Sequence, residues 1–440
     1  MFADDTIAAI SSAAGPAARM IVRISGSSAL SVSASLEISP SDGPVARRQI
    51  LRFSGISCPA WVYQFISPRS YTGEDLVELH IPGNPLLARM LLDWLVAHGA
   101  RQAEPGEFTA RAYFHGKLDL SQAEGVAATI SAQSDQQLAA ARQLMAGELA
   151  NRLRPAMEML AESLALVEAG IDFSEERMEF ISSTQISARI DSVLDQLRSL
   201  VSQSRQFEKL THEPSIVLAG RPNAGKSTLT NALAGKSRSI VSPQPGTTRD
   251  ALSVEITLPH GIARLIDVAG IEFSSQTSAS SPQREIDRQM RDLAQRTIEQ
   301  ADILVLVRDS SDSRPEISLS RHPDFRVFTK IDLSDPGALP EKSVAVSAKT
   351  GENMESLRNL LDAIAFGSDS AGATLALTSR HLQSLAEAIS ALAHARTVLD
   401  SLELLAAELR AALDSLGRIL GIVSPDDILG LIFSKFCIGK

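Results

Sequence analysis

The chain has 440 residues, 44% of them apolar and 4% aromatic, with 52 acidic against 42 basic side chains and a net charge of −10. That length predicts two or three domains with ordinary cores, and the acidic balance excludes a dedicated nucleic-acid coat, because RNA contact needs a local basic patch working against the overall field. Two cysteines far apart, Cys58 and Cys437, exclude a disulfide framework and suit a reducing cytoplasm, and neither the acidic opening MFADD nor any apolar run predicts a targeting peptide or a membrane span.

Residues 1–117 read as a small α+β domain. Thr6–Ala9, Met20–Ile24, Gln49–Phe53, Ala60–Ile66 and Leu76–Ile81 are strand candidates, punctuated by Gly15-Pro16 and Pro82-Gly83. Leu87, Met90, Leu91, Trp94 and Leu95 then recur at helical spacing, which predicts a helix over 84–98. The character changes at Leu118. Residues 118–212 are rich in Ala, Leu, Gln and Ser, and Leu138, Leu144, Leu149, Leu153, Met157, Leu160, Leu164 and Val167 fall near helical periods. Long helices are predicted here, broken at Gly170–Ser174 and resumed over Ser183–Phe207.

Residues 213–367 alternate strand and helix. Ile216–Ala219, Ala251–Leu258, Ala263–Val268, Ile303–Val307, Arg326–Phe328 and Val344–Val346 read as strands of a doubly wound sheet. From 368 to 440 the sequence is helical again. Leu382–Gly417 reads as almost unbroken, and Ser424-Pro-Asp-Asp427 reads as the cap of a last helix. The two helical stretches are alike in composition, which predicts one discontinuous helical domain with the nucleotide module inserted; two separate bundles are the other arrangement.

The first strand of the module leads into Gly220-Arg-Pro-Asn-Ala-Gly225-Lys226-Ser227, which fits the phosphate-loop pattern G-x-x-x-x-G-K-[ST] between a strand and a helix. Its glycines let backbone N–H groups turn inward onto phosphate oxygens, and the helix start adds its dipole. Lys226 is expected on the β- and γ-phosphates and Ser227 on Mg²⁺. Further parts of a GTPase follow in order. Gly246-Thr247-Thr248 offers a loop hydroxyl, Thr248, as second Mg²⁺ ligand and γ-phosphate sensor. In Asp267-Val268-Ala269-Gly270 the carboxylate holds the Mg²⁺ shell and the Gly270 N–H meets the γ-phosphate. In Thr329-Lys330-Ile331-Asp332 the carboxylate of Asp332 reads the two N–H donors of guanine, a pair adenine lacks. Ser347-Ala348-Lys349 backs the base. The base-reading box opens with Thr329 where Asn is usual, and Ile271 follows Gly270 where Ras-like enzymes place a water-orienting Gln. Asn223 is a candidate ligand for a monovalent cation bridging the phosphates, or else a turn-shaping residue.

These residues, with Pro105-GEF, Lys117-LDLSQAEG and the terminal Phe436-Cys-Ile-Gly-Lys440, resemble the MnmE (TrmE) tRNA-modification GTPase family over essentially the whole chain. The resemblance implies an α+β N-terminal folate-binding and dimerisation domain, a discontinuous helical domain, and an inserted Ras-like G domain activated by potassium. It implies a homodimer. With an FAD- and NADH-using partner, MnmG, the family installs an aminomethyl-type group on carbon 5 of the wobble uridine of certain tRNAs, drawing one carbon from a 5-formyl- or methylene-tetrahydrofolate. Carried over position by position, the GTP site comprises Asn223, Ala224, Gly225, Lys226, Ser227, Thr228, Ser242, Gln244, Gly246, Thr247, Thr248, Asp267, Val268, Ala269, Gly270, Thr329, Lys330, Asp332, Ser347 and Ala348. Within it Ser227 and Thr248 match Mg²⁺ ligands, and Asn223, Ser242, Gln244 and Thr247 match the K⁺ site. Arg23, Glu78, Lys117 and Lys440 match the folate positions; without the resemblance, the first three read as ordinary surface ion pairing.

The chain departs from the family where a catalytic Glu is expected. Asp287 aligns there, one methylene shorter, and Glu285 is the other candidate to orient water. Cys437 reads equally as a nucleophile or a packed thiol. A cytoplasmic regulatory GTPase of ribosome assembly is the alternative function; it accounts for residues 213–367 but not for the folate positions or the FCIGK tail.

Overall fold

The computed structural model describes residues 5–13, 15, 17–172, 181–207, 213–235, 252–267, 295–317, 319–366, 375–422, 432 and 439. They form two compact units. The first comprises Met1–Ser131, Ala139–Phe207 and Thr374–Lys440, the second Ala132–Leu138 and Glu208–Ala373. Among the described residues no helix is long and apolar enough to cross a membrane.

The first unit opens with a six-stranded sheet: β1 (Ile7–Ile10), β2 (Arg19–Ser25), β3 (Val45–Phe53), β4 (Ile56–Phe65), β5 (Leu76–Pro82) and β6 (Arg101–Gln102). Their order is β3-β4-β5-β2-β1-β6, antiparallel except between β1 and β6. Ser54 and Gly55 join β3 to β4 with φ of 49° and 77°, both left-handed as a tight two-residue hairpin turn requires. Alternation along the strands sends Val22, Ile24, Leu51, Phe53, Val62 and Leu79 to one face. Helices α1 (Ala29–Ala34) and α2 (Pro85–Ala97) close that face with Val32, Leu91 and Leu95. The side chain of Asn84 caps α2 by accepting from the Leu86 and Leu87 N–H groups, and Pro85 takes the first position, where no N–H is needed. On the other face, α3 (Glu107–Phe114) covers only the β1 corner, where Phe108 and Ala103 meet Ile7 and Ala9. Arg111 of α3 is fully buried and bonds to Asp5, Glu74 and Glu107, so its charge is matched inside the domain.

The chain continues into α4 (Leu120–Ser131), α5 (Asp135–Met145), α6 (Glu148–Asp172), α7 (Ser183–Gln203) and a two-residue strand, β7 (Arg205–Gln206). The second unit follows. Its sheet contains β8 (Ser215–Ala219), β9 (Leu252–Leu258), β10 (Gly261–Asp267), β11 (Ile303–Asp309), β12 (Phe325–Thr329) and β13 (Ser343–Ala345). The order is β13-β12-β11-β8-β10-β9, and only β9–β10 is antiparallel. Helices α8 (Lys226–Ala234) and α9 (Met354–Phe366) cover one face, against Ile216 and Leu218 of β8. Val217 and Ala219 point to the other face and meet Ile298 and Ala301. Because β8 lies between β10 and β11, where the strand order reverses, the loop leaving it opens at the switch point where such sheets bind ligands.

The chain then returns to the first unit through β14 (Ala376–Leu377), α10 (Ser379–Ala395) and α11 (Leu402–Leu420). Apolar stripes of α6, α7, α10 and α11 share one core, with Leu153 and Leu160 meeting Ile190, Leu197, Leu385, Leu392, Leu409 and Leu416. The helical domain is therefore one body built from two segments. β7 and β14 pair in parallel and clasp the points where the chain leaves and re-enters it. Glu124 of α4 adds a second clasp: it takes two hydrogen bonds from Arg380 at 2.9 Å and one from His381 at 2.7 Å. Burial alone would raise the Glu124 pKa, but the bonds and charges of His381 and Arg380 outweigh it and bring it down to about 2.

Several helix boundaries differ from the sequence expectation. α6 runs through Gly170 to Asp172, with Leu402 Cδ1 3.5 Å from where a Cβ would sit. Packing there offsets the roughly 1 kcal/mol that a helical glycine costs. The stretch 382–417 is not unbroken, since α10 ends before the β-branched Thr397-Val398 pair and α11 restarts after Ser401. Residues 205 and 206 are strand rather than helix, because pairing with β14 outweighs their helical neighbourhood. Residues 424–427 lie outside the described residues.

Candidate functional site

The phosphate loop takes its shape from close backbone approach. A Cβ on Gly220 would collide with the Val307 carbonyl of β11, so only glycine lets the chain leave β8 there. Asn223 and Gly225 then adopt left-handed φ of 61° and 89°, and α8 starts at Lys226 with no side chain capping it. Among the described residues its first N–H groups meet no side-chain acceptor, which suits them to an anion. Lys226 is 7% exposed, and its Nζ donates to the carbonyls of Gly220 at 2.9 Å and Arg221 at 3.1 Å. Burial pulls its pKa down, with the charge of Asp267 acting the other way.

Asp267 ends β10, beside the end of β8. Its Oδ2 accepts from Ser227 Oγ at 3.0 Å, while its Oδ1 is buried with no partner among the described residues. An unpartnered buried carboxylate oxygen beside a hydroxyl is a donor set for a hard divalent cation, so these two residues fit Mg²⁺.

The base-reading loops follow β12 and β13. Asp332 Oδ1 accepts from Ser347 Oγ at 2.7 Å, and that hydroxyl, fully buried, also accepts from the Thr350 N–H. Asp332 is exposed and held in one orientation by this chain of bonds. Ala348 packs at the edge of the core. Thr329 is buried, and its Oγ1 lies 2.6 Å from the Ala224 carbonyl and 3.1 Å from that of Arg308. A threonine therefore ties the base loop to the phosphate loop. Lys330 Nζ donates to the Asn223 carbonyl at 2.8 Å and pairs with Asp309 at 2.7 Å. Burial would raise the Asp309 pKa, but the bonds from Lys330 and Ser311 leave it lowered. Asp309 was not foreseen; the only trace of it in the sequence is an acid closing the apolar run of β11.

Asn223 is exposed on the loop, and Thr228 is exposed in the first turn of α8. Ser242, Gln244, Gly246, Thr247, Thr248, Val268, Ala269, Gly270, Glu285 and Asp287 lie outside the described residues, as do Cys437 and Lys440.

A second cluster stands on the N-terminal sheet. Arg23 of β2 and Glu78 of β5 are register partners, with Arg23 Nε 3.0 Å and Nη2 2.9 Å from Glu78 Oε1. His80 Nε2 lies 3.2 Å from the other carboxylate oxygen. Arg23 Nη1 donates to the Gly439 carbonyl at 3.4 Å. A Cβ on Gly439 would collide with the Ile10 carbonyl, so this approach of the tail needs glycine. The Arg23 guanidinium also lies 5.8 Å from the Tyr71 ring and 5.5 Å from that of Phe108. Lys117 is exposed just after α3, near Gly73, and makes no bond to Arg23 or Glu78 among the described residues. A carboxylate, a guanidinium and the exposed Tyr71 ring fit a ligand with a hydrogen-bonding heterocycle and an acidic tail, while Phe108 is buried behind the guanidinium. His80 and Tyr71 were not singled out in the sequence; the alternation of L-V-E-L-H-I, which puts Glu78 and His80 on one face, is the signal for the first.

Comparison with known proteins agrees with this architecture. The family model for the MnmE helical domain matches residues 120–437, and that for the GTP-binding protein TrmE N-terminus matches residues 6–117. A protein of Azoarcus sp. (strain BH72) named tRNA modification GTPase MnmE is 38% identical, covering 99% of this chain and 98% of its own. One of the same name from Marinobacter nauticus is 36% identical, covering 100% and 99%. Among solved structures, the G domain of the T. maritima FeoB iron transporter is 24% identical, covering 35% of this chain and 99% of its own at a TM-score of 0.25.

Proposed function

The chain belongs to the MnmE family of tRNA modification GTPases, and from that premise we propose that it is a potassium-activated GTPase that, as a cytoplasmic homodimer with a MnmG-type FAD-dependent partner, modifies carbon 5 of the wobble uridine of certain tRNAs with a tetrahydrofolate one-carbon unit. The observation that carries the GTPase part is the Ser227–Asp267 pair, whose second carboxylate oxygen is buried without a partner among the described residues. Ser227, Asp267 and Thr248 hold Mg²⁺, which when bound neutralises charge on the transferring phosphoryl group. Lys226 and the start of α8 hold the phosphates. Asp332, oriented by Ser347, accepts the two guanine N–H donors, and adenine would leave that carboxylate unpaired. Asn223, Ser242, Gln244 and Thr247 hold K⁺. Ile271 cannot orient water, so Asp287 or Glu285 takes that task. Loss of the γ-phosphate frees the Thr248 loop and the segment after Gly270.

Arg23, Glu78, Lys117 and Lys440 hold the folate. Glu78 faces the pterin donors, and the cations meet the acidic tail. Cys437 lies in the same tail as Lys440, either as a nucleophile or as a packed thiol. GTP hydrolysis in potassium against sodium, repeated with Asn223→Ala, tests the activation. Faster turnover in potassium that disappears in the variant, with GTP binding retained, is expected; equal rates in the two salts would overturn it. Titration of the full chain with 5-formyltetrahydrofolate, with and without Glu78→Gln, tests the donor site.

A further inference from the structure

Two neighbouring side chains tie the base loop to the phosphate loop. Thr329 Oγ1 carries a single hydrogen and faces two carbonyls, that of Ala224 at 2.6 Å and that of Arg308 at 3.1 Å. It donates to one carbonyl at a time, and the shorter contact is the one to the phosphate loop. An asparagine, usual at the head of this box, has two N–H donors and can serve both carbonyls. The threonine box is therefore one donor short. Lys330 supplies a second tie: its Nζ donates to the Asn223 carbonyl at 2.8 Å, one residue before the carbonyl that Thr329 holds. Asn223 and Lys330 both have left-handed φ, 61° and 62°. Residues other than glycine rarely adopt that conformation and keep it only where their surroundings fix them.

What aims Lys330 is Asp309, which ends β11 in register with Thr329. Its Oδ1 accepts from the N–H of Ser311 at 2.9 Å and from the Ser311 hydroxyl at 2.7 Å, which leaves Oδ2 facing Lys330 Nζ at 2.7 Å. The ammonium is gripped between an oriented carboxylate and the backbone of the phosphate loop. We propose that Asp309 is a positioning residue for guanine-nucleotide binding: acting through Lys330, it locks the phosphate loop to the base loop and makes up for the donor that Thr329 lacks. Phosphates and base are two ends of one ligand, so loops fixed at the right separation beforehand lower the cost of binding it. This rests on the reading above that Lys226 and the start of α8 take the phosphates and Asp332 the guanine.

Calorimetric titration of the full chain with GDP and Mg²⁺ tests this. Asp309→Asn keeps the shape of the side chain and removes its charge. It should weaken GDP about five-fold, the upper end for an ion pair that water reaches. The KM for GTP should rise by a similar factor while kcat changes by less than about two-fold. Adding Thr329→Asn to Asp309→Asn should bring GDP affinity back to within about two-fold of wild type, a coupling that two residues with separate tasks would not show. The unfolding temperature of the nucleotide-free chain should match wild type; a loss of affinity that came with a fall in that temperature would make Asp309 part of the fold and overturn the proposal. If wild type binds GDP and Asp309→Asn binds it equally, Asp309 positions nothing, and the nucleotide reading stands without it. If Asp309→Asn weakens GDP and the added Thr329→Asn restores nothing, the two residues do not share a task, and the proposal is likewise overturned. If wild type binds no GDP, the nucleotide reading falls and the proposal with it.

Discussion

The two six-stranded sheets display their polar groups in opposite places. In the parallel sheet of the second unit both faces are buried, with Ile216 and Leu218 packed to one side and Val217 and Ala219 to the other. Its functional side chains therefore stand at or past strand ends: Asp267 closes β10, Thr329 closes β12, and Ser347 follows β13. In the antiparallel sheet only one face is fully closed, and Arg23, Glu78 and His80 stand in mid-strand on the other. Crossover helices cover both faces of a parallel sheet, whereas hairpins leave a face free. Which faces the connections cover decides where an ionisable group can be shown to solvent or ligand.

The sharpest way to break that contrast is to put a charge in mid-strand where both faces are covered. Val217→Glu is expected to cost about 5 kcal/mol or more and unfold the G domain, because an unpaired carboxylate would sit in a sealed core. Urea unfolding followed by circular dichroism measures it, and a loss under about 2 kcal/mol would mean that face is not sealed. Moving the change to a strand end separates stability from chemistry. Asp267→Asn should leave the unfolding midpoint in place and lower GTP hydrolysis by about 10²–10³-fold, the range for removing one preorganised electrostatic partner. Glu78→Gln on the other sheet should leave hydrolysis untouched.

The same contrast explains what could be read from the sequence. The phosphate loop is contiguous, and its strand, glycines and helix are local signals, so Gly220 to Ser227 could be placed without a structure. Asp332 was legible for the same reason. Arg23 and Glu78 were legible only through resemblance to a family, because their pairing depends on β2–β5 register across 55 residues. Tyr71, His80 and Asp309 carry no motif; each gains its meaning from partners that topology supplies. The helix through Gly170 and the break at 396–401 were missed because tertiary packing and capping, not periodicity, decide them. The β7–β14 clasp is two residues long on each side, too short for any period to register.

Charges can also lie inside the first unit, provided they are paired, and pH tests that condition. Glu124 titrates at about 2 in the folded chain against an ordinary 4.5. A depressed carboxylate pKa contributes stability that is fully present above the unfolded value and is lost as pH falls through the folded one. The Glu124 contribution, about 3 kcal/mol at neutral pH, should therefore fade between pH 4.5 and pH 2. Glu124→Gln should destabilise the first unit by about that amount at pH 7, since it also leaves Arg380 without its carboxylate. The gap between variant and wild type should close as the pH approaches 2. A gap that stayed constant down to pH 2 would mean the cluster contributes through shape rather than charge.

The smallest effect is the control that gives the others their meaning. Ile50 lies on β3, the edge strand of the antiparallel sheet, and is 58% exposed on the open face. Ile50→Lys introduces a charge in mid-strand just as Val217→Glu does, but here water solvates it and its long stem can still cover Pro59 across the strand pair. The expected change is within about 0.5 kcal/mol, the ordinary range for surface substitutions. An edge-strand lysine also discourages edge-to-edge pairing, so solubility should hold or improve. Thermal unfolding of the two variants side by side measures the difference directly. If Ile50→Lys destabilised the chain by more than about 2 kcal/mol, the second face of the N-terminal sheet would have to be covered in the free protein, and the two sheets would differ in topology but not in exposure.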